Sequence, residues 1–161
     1  MRLLIFLVLF FNINHLYALD FDYEWTNNHP ILNEYIEKNR DHILKIAPYK
    51  HKRSKQYKKF IDAVIETIEV PKELIVLAGI ESNFTPNAKS HAGAKGMWQF
   101  MKATATDMGL VVNENVDERE DWRKSTVAGL KYLKWMSEKH FDGNYELAIL
   151  AYNAGIGKVK R

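Results

Sequence analysis

Two features that would narrow the function are missing from this sequence: cysteine and a strong excess of charge. Because cysteine is absent, disulfide bonds, thiolate zinc sites, a cysteine nucleophile and a lipid-modified cysteine are all excluded. The 23 Lys and Arg residues against 20 Asp and Glu residues give a formal net charge of +3. Nucleic-acid-binding proteins are usually far more basic than this, so no nucleic-acid partner is predicted.

A membrane-spanning apolar run, which takes about 20 residues, is also missing from the sequence. A shorter run from Leu3 to Phe11 follows the basic Arg2, and Ala18 provides a small residue at a suitable cleavage point. This order predicts a secretory signal peptide over residues 1–18. The alternative is an uncleaved segment that anchors the chain to the membrane. Either reading places the rest of the chain across the inner membrane, in the periplasm.

The remaining length suits one domain rather than two. Apolar residues first recur at helical spacing between Pro30 and Pro48, which predicts a helix in an N-terminal extension over residues 19–53. A dense basic run covers residues 51–59. It is either the solvated start of a helix or a patch that attaches to an acidic polymer or a membrane surface.

Helical spacing continues through residues 54–161, which are predicted to form the main domain. The predicted helices begin near Tyr57, Pro71, Met97, Ser125 and Tyr145. Two of them are expected to end at Gly109 and Gly155. The helix near Ser125 is expected to contribute core rather than site residues, with Trp122 and Trp135 flanking a buried face of Val127, Leu130, Leu133 and Met136.

Glu81 is the first candidate for chemistry, because it closes the apolar run from Leu74 to Ile80 and precedes a polar loop. A carboxyl group held against apolar packing prefers its neutral form, so its pKa rises and it can donate a proton near neutral pH. The alternative is a solvated glutamate at a helix end, or one paired with a lysine. In the loop, Gly93 and Gly96 either let the backbone approach a flat sugar ring or simply form turns.

The motifs around Glu81 resemble those of the lytic murein transglycosylases, the SLT-domain group of the goose-type lysozyme superfamily. The resemblance runs from about Tyr57 to the C-terminus, and the segment from Trp98 to Met101 is most similar to the membrane-bound D branch. The matching pieces occur in the family order: Glu81-Ser82, Ser90 before Gly93-Ala94-x-Gly96, Gln99-Phe100-Met101, Ala103-Thr104-Ala105, Gly109-Leu110 and Ala151-Tyr152-Asn153-Ala154-Gly155.

This resemblance implies an all-α, lysozyme-like catalytic domain, here with an added N-terminal helix. It implies that Glu81 is the catalytic residue and that the substrate is peptidoglycan. Ser90 and Gln99 would orient the N-acetylated sugar, and the hydroxyl of Tyr152 would face the acid across the cleft. The complete set of implied substrate-binding residues is Ser90, Met97, Trp98, Gln99, Ala151, Tyr152 and Asn153. No metal or organic cofactor is expected.

Only one carboxylate is placed for catalysis, whereas lysozyme-like hydrolysis usually uses two. Five other acids lie in a polar stretch that is typical of a helix end and a loop: Asp107, Asp117, Glu118, Glu120 and Asp121. With one carboxyl group, Glu81 would protonate the glycosidic oxygen while the N-acetyl group of the substrate supports the cationic ring. Glu81 would then take the proton of the 6-hydroxyl group. The resemblance implies a 1,6-anhydro-N-acetylmuramic acid product.

The sequence also departs from the family pattern in two places. Lys102 stands where proline is common, and the chain ends at Arg161, where family members continue with helices that complete one wall of the cleft. An open cleft would mean weak activity, a partner that completes the site, or a truncated gene product. Two alternatives remain: a hydrolytic goose-type lysozyme, and a weakly active peptidoglycan-binding component of an envelope-spanning secretion or assembly machinery.

Overall fold

The computed structural model describes residues 53–160, apart from the side chain of Val76. These residues belong to a structural unit that begins at Arg53. The predicted signal peptide and nearly all of the predicted N-terminal extension lie outside the described residues. Within the described residues, no helix is long and apolar enough to cross a membrane.

The described chain is helical, as predicted for an all-α domain. Its β structure is limited to isolated bridges, which join Lys89 to Lys95, Lys95 to Phe100 and Val112 to Asp117. Helix α1 covers residues 53–68, and a single 3-10 turn at Lys72–Leu74 leads into the next helix. The later helices are α2 (Ile75–Ser82), α3 (Lys102–Asp107), α4 (Trp122–His140), α5 (Tyr145–Ala154) and α6 (Ile156–Val159).

Helix α4 is the longest of these helices and begins earlier than the sequence indicates. Asp121 caps it, because its carboxylate accepts hydrogen bonds from the backbone amides of Arg123 and Lys124. The predicted start near Ser125 is therefore wrong by one turn, and Ser125 and Thr126 are buried inside the helix. Helix α5 agrees with its prediction: Asn144 caps its start, and Gly155 ends it with a φ of 88°.

The core forms where α4 packs on α5 and on the preceding segments. The fully buried side chains include Ile61, Leu77, Trp98, Leu130, Leu133 and Met136. Trp98 lies directly on Gly129 of α4, where an added Cβ would be 2.6 Å from the indole ring. The indole nitrogen of Trp98 donates a hydrogen bond of 3.0 Å to the hydroxyl of Thr126. Lys134 ties α4 to the end of α1 by donating to the carbonyl of Ile68 at 2.7 Å.

The helix predicted to begin at Met97 begins only at Lys102. Residues 97–100 instead form a turn, and Lys95 and Phe100 exchange two backbone hydrogen bonds of 3.0 Å across it. Gln99 adopts a φ of 51°, which lies in the left-handed region and interrupts a right-handed helix. The apolar spacing of this segment therefore reflects burial of a turn rather than a helical face.

Candidate active site

Glu81 lies on the last turn of α2, one residue before the helix ends. The helix buries Leu77 and Ala78 completely, while Glu81 itself is half-buried. The chain then turns sharply, because Asn83 and Phe84 both have left-handed backbones with φ of 54° and 53°. This turn directs the polar loop away from the helix axis immediately after the carboxylate.

Tyr152 of α5 is one of the side chains that the structure brings close to Glu81. Burial raises the pKa of the Tyr152 phenol well above its ordinary value, and the negative charge of Glu81 raises it further. The two groups are therefore close enough to interact electrostatically, although 70 positions separate them in the sequence. The phenol therefore stays protonated at neutral pH.

The turn at Met97 and Trp98 is held from two sides by hydroxyl groups. The Tyr152 hydroxyl donates to the Trp98 carbonyl at 2.7 Å, and the Ser82 hydroxyl donates to the Met97 carbonyl at 2.7 Å. Ser82 also accepts a hydrogen bond from the backbone amide of Thr85 at 3.1 Å. Two consecutive carbonyls are thus bonded to α2 and α5, the two helices that carry Glu81 and Tyr152.

Sequence reasoning did not identify Ser82 as a residue of this site. In the sequence, Ser82 is distinguished only by its place in the Glu81-Ser82 motif. The signal that could have found it is a small hydroxyl residue in the last turn of an otherwise apolar helix. Such a side chain can satisfy backbone groups of a following loop.

Ser90 and Gln99 shape the loop between α2 and α3. The Ser90 hydroxyl accepts a hydrogen bond of 3.0 Å from the backbone amide of Ala94. The Gln99 side-chain nitrogen donates to the carbonyls of Gly96 at 2.8 Å and Ala88 at 3.2 Å. Both side chains therefore have a structural role in the loop, and their predicted contacts with a sugar stay a prediction.

Three of the predicted substrate-binding residues have buried side chains. Met97 and Trp98 are 0% exposed and Ala151 is 2% exposed. The Trp98 ring is buried against Gly129 of α4, and the predicted contact of this residue with substrate stays a prediction. Asn153 is exposed and its side-chain amide contacts the carbonyl of Ile149 at 3.4 Å, within its own helix.

The structure favours the turn alternative for the glycines of the loop, because Gly93 and Gly96 have positive φ angles of 87° and 83°. A Cβ added to Gly96 would lie 1.7 Å from the carbonyl oxygen of Arg119, whereas one added to Gly93 would meet nothing within 4 Å. The close approach that Gly96 permits is therefore to the backbone of the protein itself.

Arg119 is a second residue that sequence reasoning missed. It is 5% exposed, and its guanidinium donates to both oxygens of Asp117, at 2.8 and 2.7 Å. It also donates to the carbonyls of Gly93 at 3.0 Å and Phe100 at 3.2 Å. The sequence signal that could have indicated a buried Arg119 is its position as the single arginine among the acids of residues 117–121. A buried cation needs carboxylate partners of this kind.

The acids between residues 117 and 121 are all engaged in structural contacts. The hydrogen bonds from Arg119 hold the pKa of Asp117 well below its ordinary value. Glu118 pairs with Lys124 and accepts from the backbone amide of Val111 at 2.7 Å, and both contacts lower its pKa. The Oε1 atom of Glu120 lies 3.4 Å from the Nζ atom of Lys89 and 3.6 Å from the Nζ atom of Lys95. The carboxylate of Asp121 caps the start of α4.

Asp107 differs from these four acids. It is exposed at the end of α3, and its charge contributes to raising the pKa of Tyr132.

Comparisons with known proteins show which family the chain resembles. Residues 60–161 match the family model described as Transglycosylase SLT domain. The chain is 34% identical over 132 residues to membrane-bound lytic murein transglycosylase D of Escherichia coli, which covers 80% of this chain and 29% of that protein. It is 43% identical over 84 residues to peptidoglycan transglycosylase gp16 of Escherichia phage T7, covering 52% of this chain and 6% of that one.

A third relative is membrane-bound lytic murein transglycosylase F of Desulfosudis oleivorans, with 34% identity over 85 residues, or 50% of this chain and 17% of that protein. The chain therefore spans less than a third of the length of each of these relatives. The family model nevertheless covers residues 60–161, which is well over half of the chain and includes Glu81 and Tyr152. The chain belongs to the family of proteins that contain the transglycosylase SLT domain.

Proposed function

We propose that this chain is a lytic transglycosylase that cleaves the β-1,4 bond between N-acetylmuramic acid and N-acetylglucosamine in peptidoglycan. The observation that carries the proposal is the placement of one half-buried carboxylate, Glu81, beside the protonated phenol of Tyr152. Membership of the SLT-domain family and the names of the three relatives support the substrate class.

In the proposed reaction, Glu81 acts first as an acid. It donates its proton to the glycosidic oxygen, and the bond from that oxygen to C1 of N-acetylmuramic acid breaks. The oxygen of the substrate's own N-acetyl group supports the positive charge that develops at C1, as in substrate-assisted glycosidases. The leaving N-acetylglucosamine keeps the proton as its new hydroxyl group.

Glu81 then acts as a base. Its carboxylate accepts the proton of the 6-hydroxyl group of the same muramic acid, and the 6-oxygen bonds to C1. The product is a 1,6-anhydro end, water is not consumed, and Glu81 is protonated again. An internal nucleophile is favoured over water because its effective concentration is very high.

The engagement of all four acids of residues 117–121 supports a mechanism with a single carboxylate, whereas Asp107 is exposed. A hydrolase would use a second carboxylate to activate water or to form a covalent intermediate. Asp117, Glu118, Glu120 and Asp121 are already bound to cations or backbone amides. Tyr152 already donates its one O–H to the Trp98 carbonyl. Its phenol oxygen would therefore hold the protonated Glu81 by accepting a hydrogen bond, or support the positive charge that develops on the sugar.

The proposal is tested by mass spectrometry of the products released from purified peptidoglycan. The wild-type chain should release muropeptides with 1,6-anhydro ends. Glu81→Gln should slow their release by roughly 10²–10⁴-fold, as expected for loss of an acid–base group. Glu66→Gln, on the exposed side of α1, is the matched control and should retain full activity.

Other outcomes would assign a different function. Products that are heavier by one water would make the chain a goose-type lysozyme. Equal rates for Glu81→Gln and wild type would remove Glu81 from the chemistry. An absence of product with retained binding to peptidoglycan would instead favour a binding component of an envelope assembly.

The expected setting of this activity is the periplasm, where the peptidoglycan substrate lies. Attachment to an envelope-spanning secretion or assembly machinery is the proposed partner interaction. No nucleic acid, metal or organic cofactor takes part in the proposed reaction. Contact with the membrane would come only through an uncleaved segment at residues 1–18, which lie outside the described residues.

A further inference from the structure

Trp135 differs from the other tryptophans of the described chain in its exposure. Trp98 is completely buried and Trp122 is half-buried, whereas Trp135 is 43% exposed. The expectation that the tryptophans of this helix are core residues is therefore wrong for Trp135. Large exposed aromatic side chains often mark a binding surface when they continue into a cleft.

A row of aromatic rings joins Trp135 to the candidate active site. The ring centroids of Tyr152 and Tyr132 are 5.6 Å apart. The ring centroids of Tyr132 and Trp135 are 5.9 Å apart, and the angle between these two ring planes is only 15°. Phe100, from the loop, packs against both tyrosines at 6.1 and 6.3 Å. The row therefore begins beside Glu81 and ends at solvent.

Contacts with neighbouring residues restrict the movement of Trp135. Tyr132 stacks on its indole, and His140 meets it edge to face at 4.7 Å. An aromatic ring that is already fixed loses little conformational entropy when a ligand binds to it. The exposed part of Trp135 thus provides a rigid apolar surface in spite of its position next to water.

The chemistry of this surface suits a sugar. Burial and the charge of Asp107 raise the pKa of Tyr132, so its phenol stays neutral and can donate a hydrogen bond. The Trp135 indole adds an N–H donor to its apolar ring. A pyranose has the complementary character, because its ring faces carry C–H groups and its rim carries hydroxyl and amide groups.

We propose that Trp135, supported by Tyr132, forms a subsite for a sugar of the glycan strand that lies outside the bond being cleaved. The inference rests on the proposed function, since it takes the strand to be bound at Glu81. The occupant is part of the same polymer, because the ring row is continuous with Tyr152 beside Glu81. The subsite would favour long strands over short fragments.

The first test measures binding in a Glu81→Gln background, where strands stay intact. The probes are purified glycan strands without stem peptides and a single N-acetylglucosaminyl-N-acetylmuramic acid unit. Trp135→Ala should weaken binding of the strands roughly three- to tenfold, in line with the loss of one aromatic contact, and should leave the single unit unaffected. Trp135→Phe should recover part of the affinity. Val116→Ala, at another exposed apolar residue that is 46% exposed, is the matched control.

The second test measures cleavage in the active chain. Trp135→Ala should raise KM for strands with little change in kcat, because the subsite lies outside the reacting bond. Equal strand binding by Trp135→Ala and by the control would overturn the inference. So would equal losses for the strands and the single unit, or weakened binding to anionic lipid vesicles in place of glycan. Because binding is scored without turnover, failure of the subsite is separable from failure of the proposed chemistry.

Discussion

Replacement of Gly96 by alanine tests whether the loop that follows Glu81 is folded as described. The Cβ of alanine would lie 1.7 Å from the carbonyl oxygen of Arg119 and 2.6 Å from its carbonyl carbon. Both are backbone atoms, so no side-chain rotation relieves the overlap. Gly93 provides a matched control, because it lies in the same loop with a similar positive φ, 87° against 83°, and an open space where its Cβ would be.

The expected magnitudes follow from this difference. Each alanine suffers the left-handed backbone penalty of roughly 1–2 kcal/mol. At Gly96 the backbone must also move away from the backbone of Arg119. This movement would weaken the hydrogen bond of 2.8 Å from the Gly96 amide to the Ala88 carbonyl. It would also weaken the hydrogen bonds that Arg119 donates to the carbonyls of Gly93 and Phe100. With a net value of about 1 kcal/mol for each hydrogen bond, the free energy of unfolding should fall by about 3–5 kcal/mol for Gly96→Ala, against 1–2 kcal/mol for Gly93→Ala.

Urea unfolding at neutral pH is the assay. Gly96→Ala should unfold at a much lower urea concentration than Gly93→Ala, with similar slopes for the two transitions. Peptidoglycan cleavage by Gly96→Ala should also fall at temperatures where the protein is still folded, because the Gly96 carbonyl accepts the Gln99 side chain. A difference of less than about 0.5 kcal/mol between the two variants would refute the close contact with Arg119.

Two further predictions concern contacts that hold the same loops. The pKa of Asp117 in the folded chain is held below its ordinary value of 3.8. The unfolded chain therefore binds a proton more readily than the folded chain. The stability that the ionised Asp117 provides is complete above about pH 4 and is lost as the pH falls further. The stability difference between wild type and Asp117→Asn should therefore narrow from pH 5 to pH 3 in urea unfolding, and a constant difference would contradict this. Arg53 donates to the Thr85 hydroxyl at 2.9 Å and to the Asn83 carbonyl at 3.4 Å, directly after the Glu81 helix. Arg53→Ala should slow peptidoglycan cleavage by roughly tenfold through misplacement of Glu81, while the melting temperature changes little. The control variant is Lys59→Ala, at an exposed residue of the same helix, and it should cleave like wild type. Equal cleavage rates for the two variants would exclude a positioning role for Arg53.

The sequence allowed the helical class and several helix boundaries to be predicted because their signals are local. Asn144 and Gly155 bracket α5 through side-chain capping and a positive φ, and both effects act within a few residues. The pairing of Glu81 with Tyr152 was also expected, but only through the family resemblance. Nothing local to either residue specifies a contact across 70 positions.

The errors arose where burial and local pattern disagree. Residues from Met97 onward are apolar enough to suggest a helix, yet they form a turn, because Trp98 inserts against Gly129 of α4 and its carbonyl is held by Tyr152. These are long-range contacts, and they override local helix propensity. The exposure of Trp135 was missed for the converse reason: helical spacing places it near the core face, and only the packed structure shows what remains uncovered.

The family motif describes mainly how the loop is built, and much less how a sugar is held. Ser82, Ser90 and Gln99 all bind backbone groups of the protein, and Gly96 makes room for the backbone at Arg119. These contacts fix the turn at Met97 and Trp98 against the helices of Glu81 and Tyr152, so most of the motif positions one carboxylate and one phenol. Substrate selection would then depend on residues outside the motif, which is why variation at Trp135 should change the preferred strand length while the product stays the same.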